Sequence, residues 1–107
     1  MGKPAFAYLL LKEHPYGREM LRQILSEGFV PSIIISEDSP IGDEEREKFL
    51  KRIQGLPIAP SIDFQLQELS NEGIEVIHET VSIHNSEQVM PLIKDIELDL
   101  IVFGGTR

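Results

Sequence analysis

Few residues of this chain have the type and spacing to do chemistry, and the densest group lies near the front. Residues 12–18 read Lys-Glu-His-Pro-Tyr-Gly-Arg, directly after an apolar run. A turn there that opens a helix would present backbone N–H groups to an anion, with Lys12 or Arg18 supplying charge. The plain alternative is a turn carrying a solvated arginine. Neither G-x-G-x-x-G nor G-x-x-x-x-G-K-S/T occurs, and Gly17 alone makes a poor phosphate cradle. The histidines are His14, His78 and His84. His78 and His84 with Glu79 match no standard ligand spacing, so no metal site is expected and His78 reads as a packed or edge histidine. His84 falls nearer the expected site edge, within reach of a substrate hydrogen bond. A serine nucleophile has no G-x-S-x-G elbow to stand on. With no cysteine, thiolate catalysis and cysteine-bound zinc are excluded. The acids over 43–47 read as a solvated helix face, and Met20 and Met90 as core.

Composition bounds what these residues can serve. A chain of 107 residues is one domain's worth, expected to span 1–107. Hydrophobic residues at 41% and charged residues at 26% are an ordinary globular balance. With 18 acids against 10 bases the net charge is −8, which repels phosphate backbones and anionic lipid. No basic run offsets it, so neither nucleic acid nor membrane is expected as a partner. The opening apolar run is too short and too soon charged for a signal peptide, and no run approaches the ~18 apolar residues of a membrane span. A soluble, cytoplasmic protein is the expectation.

The elements that must position these residues follow from hydrophobic period. Residues 5–11 and 32–36 are short apolar runs, as strands buried on both faces are. Between them Pro15 suits a first helical turn, Met20, Leu21, Ile24 and Leu25 line one face, and Gly28 marks the stop. A polar turn over 37–43 precedes a helix over 43–53 with acids first and bases last, and Glu44–Lys48 and Glu47–Lys51 pairs. Ser61 caps a further helix that Gly73 closes. Residues 74–81 read as a third strand. Asn85 or Ser86 caps a helix in which Pro91 forces a kink or a start near Val89. Residues 98–103 read as a fourth strand. This alternation predicts an α/β fold, a Rossmann-like parallel sheet of about four strands with covering helices. Ligands of such sheets bind outside the carboxyl ends of the strands. Four segments should therefore share one edge: 12–18, 36–42, 79–85 and 104–107.

The run His-Asn-Ser-Glu-Gln-Val-Met-Pro-Leu-Ile-Lys-Asp-Ile-Glu-Leu-Asp-Leu-Ile-Val-Phe-Gly-Gly-Thr-Arg over 84–107 resembles the N-terminal domain of the formyltransferase family. That family includes glycinamide ribonucleotide transformylase, methionyl-tRNA formyltransferase and sugar N-formyltransferases. The similarity covers an Asn-initiated helix, an Asp-Leu-Ile-Val strand and the opening of a loop with Arg. The first strand, the helix through Gly28 and the Ile-rich second strand fit in order. The resemblance implies the N-terminal part of a larger formyltransferase fold, which binds formyltetrahydrofolate and a small-molecule amine acceptor. It implies folate contacts at Gly104, Gly105, Thr106 and Arg107. It places His14, Tyr16, Gly17 and Arg18 in the acceptor-side loop, where they depart from the family's glycine-rich form. The family's catalytic Asn, His and Asp lie downstream of the equivalent of Arg107. The chain is therefore expected to be incomplete at its C-terminus, with no catalytic residue of its own, and inactive alone. The alternative expectation is a stand-alone α/β module for interaction, or for a small anion or nucleotide, that forms a homo-oligomer through its exposed last strand.

Overall fold

The computed structural model describes residues 4–104. Its elements run β1 (Phe6–Leu11), α1 (Pro15–Ser26), β2 (Ile33–Glu37), α2 (Pro40–Arg52), α3 (Ile62–Asn71), β3 (Ile77–Val81), α4 (Ser86–Ile93) and β4 (Leu100–Phe103). The four strands form one sheet in the order β3-β2-β1-β4, every pair parallel. The chain steps outward from β1 to β2 and β3, then returns to β1's other side. This is the Rossmann-like α/β arrangement, and its direction reverses between β1 and β4.

Two apolar layers hold the sheet. On one face Phe6, Tyr8, Leu10 and Ile34 meet Leu21 of α1 and Ile62 of α3. On the other, Ala7, Leu9, Ile33, Ile35 and Val81 meet Val89 and Ile93 of α4. Because side chains alternate along a strand, helices on both faces leave β1 and β2 no solvent side. Every residue of both strands is buried.

Local chemistry sets the element ends. Pro15 opens α1, and Gly28 at φ +88 ends its last turn in a conformation that suits glycine. The polar turn expected over 37–43 does not form. β2 continues through Glu37 and α2 begins at Pro40, because Ser39 Oγ accepts from the Gly42 N–H at 3.0 Å and Pro40 fits the first helical position. Of the expected α2 ion pairs, Glu44–Lys48 is made at 3.5 Å, while Glu47 lies 3.9 Å from Arg46 instead. The third strand starts at Ile77 rather than 74: the Ile74 N–H bonds back to the Leu69 carbonyl, closing α3. α4 begins behind an Asn85 cap and passes through Pro91. Met90 is 51% exposed and not core, whereas Met20 packs on the α1 face. Among the described residues no helix is long and apolar enough to cross a membrane.

Pro91 has no N–H to donate to the Glu87 carbonyl, so one turn of α4 lacks its bond. Pro91→Ala is expected to stabilise the chain by about 1 kcal/mol or more, read as a higher urea midpoint at unchanged slope.

Candidate functional site

Parallel strands put their carboxyl ends on one edge, and backbone ladders carry order into the loops there. The Lys12 N–H donates to the Glu37 carbonyl at 2.9 Å, Asp38 N–H to Val81 at 2.8 Å, and Gly104 N–H to Leu9 at 2.7 Å. At the reversal point between β1 and β4, the first turn of α1 and the exit of β4 touch. Tyr8, wholly buried, donates its hydroxyl to the Gly17 carbonyl at 2.7 Å, and burial pushes its phenol pKa up, with Tyr16 adding to the shift. A Cβ on Gly104 would lie 2.0 Å from that hydroxyl, and one on Gly17 would lie 2.7 Å from Leu10 and 3.0 Å from the Gly104 carbonyl. Both glycines are therefore required by close packing, whatever binds above them.

The rest of the 12–18 loop is ordered from within. Glu13 has φ +52, a left-handed conformation unfavourable for its type, at the foot of α1. Its carboxylate accepts from the Ile62 N–H at 3.1 Å and lies 3.2 Å from Arg18 Nε, which also donates to the Glu13 carbonyl at 2.9 Å. Arg18 is thus tied into the joint between α1 and α3 rather than wholly solvated. His14 is the cap of α1: its Nδ1 accepts from the Tyr16 N–H at 3.1 Å, and its ring lies 4.7 Å from the Phe49 ring of α2. Tyr16 is half exposed. Lys12 Nζ reaches Asp38 at 3.3 Å across the edge.

Glu37, expected in a polar turn, lies in strand β2 instead. It is the last residue of β2, 2% exposed. Ser39 donates its hydroxyl to one carboxylate oxygen at 2.7 Å, and the His84 N–H donates to the other at 3.0 Å. His84 Nε2 lies 2.9 Å from the Ile35 carbonyl, which only accepts, so Nε2 carries the proton. The His84 ring is thus turned into the end of β2. The acid at this place in dinucleotide-binding sheets faces a ribose; Glu37 instead faces inward, an arrangement that counts against a nucleotide. The signal in the sequence was an acid ending an isoleucine run, with a serine two residues on.

The fold also brings Ser36, His78 and Asp63 into line. Ser36 Oγ lies 2.8 Å from His78 Nε2, and His78 Nδ1 lies 3.6 Å from Asp63. Ser36 is buried while the Asp63 side chain is 84% exposed, so the serine has no approach for a substrate. The set ties edge strand β3 to β2 and α3. Among the described residues no three of His, Cys, Asp and Glu converge as metal ligands.

Of the residues expected to contact folate, Gly104 is at the reversal point, opposite the start of α1, while Gly105, Thr106 and Arg107 lie outside the described residues. The residues expected on the acceptor side, His14, Tyr16, Gly17 and Arg18, open α1 across from Gly104, and Gly17 is so close that a Cβ there would lie 3.0 Å from the Gly104 carbonyl. Comparison of the chain with protein-family models, with curated proteins and with solved structures finds no match.

Two outcomes follow from this geometry. Gly104→Ala is expected to destabilise the chain by about 2 kcal/mol or more, because the Tyr8 ring is held on all sides, and Tyr8→Phe by about 1 kcal/mol; urea unfolding reads both. Burial lowers the His14 pKa from its ordinary 6.5; Glu45 opposes, and Arg46, Arg18 and Arg52 lower it further. Below pH 6.5 the unfolded chain takes up that proton first, so His14's contribution is full above 6.5 and falls away on acidification. The difference in stability between pH 7.5 and roughly one to two units lower is expected to shrink in His14→Asn, measured against the parent chain.

Proposed function

We propose that this chain is the binding portion of a formyltransferase-like, cytoplasmic protein, and that its carboxyl edge takes formyltetrahydrofolate and a small amine acceptor side by side. The observation that carries the reading is the close approach of Gly17 to Gly104, where a Cβ on Gly17 would lie 3.0 Å from the Gly104 carbonyl. The two segments the family resemblance assigns to acceptor and donor leave different strands and meet at the reversal point, where two reactants would need to lie within bonding distance. In the transfer itself, the acceptor nitrogen attacks the formyl carbon, a tetrahedral intermediate forms, and the folate nitrogen leaves with a proton. Donors aimed at the intermediate's oxygen and a proton-transferring group drive such a step. The residues that resemblance assigns to those roles are not in this chain, which contributes binding and orientation.

A non-transferable formylfolate analogue is expected to bind and to slow amide exchange at Leu100–Phe103 and Gly104. Formyl transfer to any amine by this chain alone is expected to be undetectable. Failure of the analogue to bind, or measurable turnover, overturns the reading.

A second reading, an interaction module that self-associates through β4, draws on one feature. Leu100, Ile101 and Phe103 are 44%, 40% and 55% exposed on a strand that is the last of the sheet among the described residues. It requires a mass that rises with concentration in sedimentation.

A further inference from the structure

We propose that His84 carries both ring protons in the folded chain and closes a buried ion pair with Glu37, a proton-operated latch that holds loop 82–85 over the end of β2 and releases it as pH rises. The inference stands apart from the folate reading and concerns a polar set that reading leaves unused.

Geometry fixes the charge of each member. Glu37 Oε1 accepts from the His84 N–H at 3.0 Å, and Oε2 accepts from the Ser39 hydroxyl at 2.7 Å. Ser39 Oγ in turn accepts from the Gly42 N–H at 3.0 Å, which leaves its own proton to the carboxylate. Donors on both oxygens favour the ionised form. That side chain is only 3% exposed, so its charge requires a counter-charge close by. The imidazole beside it is 7% exposed. Its Nε2 lies 2.9 Å from the Ile35 carbonyl and is protonated, since a carbonyl only accepts. Its Nδ1 lies 3.7 Å from Glu37 Oε1. Bare, Nδ1 would turn a lone pair toward a buried carboxylate. Protonated, it makes the pair neutral as a whole, and the attraction is strong because neither group stands in water.

The other charged groups around this end of the sheet leave that assignment in place. Lys12, after β1, pairs with Asp38 at 3.3 Å, and Arg46 of α2 pairs with Asp43 at 3.3 Å. On β3, Thr80 and Val81 stand beside Ser36 and Glu37 and are uncharged, His78 is bonded to Ser36, and Glu79 is exposed. The first turn of α4 brings Glu87, an exposed acid, which favours a second ring proton.

Several contacts depend on that proton. His84 ties its loop to β2 at Ile35 and Glu37, and Glu37 holds Ser39, the cap of α2. Loss of the Nδ1 proton leaves the carboxylate uncompensated, so the loop and the first turn of α2 loosen together. The folded chain binds this proton more tightly than the unfolded one, whose imidazole titrates near about 6.5. The latch therefore contributes fully below that pH, until Glu37 itself takes up a proton, and its contribution is lost as pH rises through the folded value. His14 acts with the opposite sign, so the readout must be local rather than global stability.

The test uses the ¹⁵N-labelled full chain, titrated from about pH 5.5 to about pH 9. Multiple-bond ¹H–¹⁵N spectra at neutral pH are expected to show His84 protonated at both Nδ1 and Nε2, with Nδ1 losing its proton at a pH above the unfolded value. Amide protection factors, corrected for intrinsic base catalysis, are expected to fall at His84 and Gly42 in the same titration. Glu37→Gln keeps the shape and withdraws the charge, and is expected to weaken proton binding by the ring roughly tenfold or more, read as a midpoint about one pH unit lower. A ring bearing only the Nε2 proton at neutral pH overturns the proposal. So does protection that stays constant through the ring titration, or a midpoint that Glu37→Gln leaves where it was. The ring state and the protection are read on the parent chain, so the test survives a variant that fails to fold.

Discussion

A phenol buried in the middle of the sheet constrains everything at its carboxyl edge. Tyr8 sits on one of the two inner strands with no solvent contact, and its hydroxyl must find an acceptor inside. It finds the Gly17 carbonyl, which fixes the depth at which the first turn of α1 rests on β1. The ring also fills the space under the exit of β4, so that residue 104 has no room for a side chain. One side chain therefore sets the mutual position of three elements, and with it the separation of the two loops at the reversal of the sheet.

Polar groups of the edge divide by the way they face. Glu37, His84 and Ser39 turn inward and satisfy one another between the ends of β2 and β3 and the start of α2. Such a set is costly to leave half paired, which makes it a rigid support rather than a ligand surface. Glu13 and Arg18 do the same between α1 and α3, at the expense of a left-handed backbone at Glu13. Among the described residues of the edge, what remains facing outward is small: the Tyr16 ring and the Lys12–Asp38 pair, which solvent screens.

The two margins of the sheet differ in kind. β3 carries His78 and Glu79, and its histidine is hydrogen-bonded into the neighbouring strand. Charge on an edge discourages pairing with another chain. β4 reads Leu-Ile-Val-Phe, with no charge along it. An apolar groove between Phe6, Met20 and Phe29 flanks it on one side, and a mixed one between Met90, Ile96 and Leu98, lined also by Lys94 and Asp99, on the other. The sheet thus carries charge at one margin and none along the strand at the other.

The sequence by itself determined the α/β alternation, the burial of β1 and β2, the glycine stops at Gly28 and Gly73, and the edge where a site would lie. These are matters of period and of local backbone chemistry, legible within a few residues. It misjudged the start of α2, since a serine cap with proline behind it looks like a turn until the helix beyond is counted. Only the tertiary structure decided which polar groups turn inward and pair with one another. Glu37 and His84 are 47 residues apart, Glu13 and Ile62 are 49 apart, and no spacing rule joins them. The same holds for Gly17, which resembles a phosphate-loop glycine in sequence and proves to be the floor beneath Gly104. Whether a polar side chain is support or site depends on what the rest of the chain brings within hydrogen-bonding distance, and that is set by packing across the sheet.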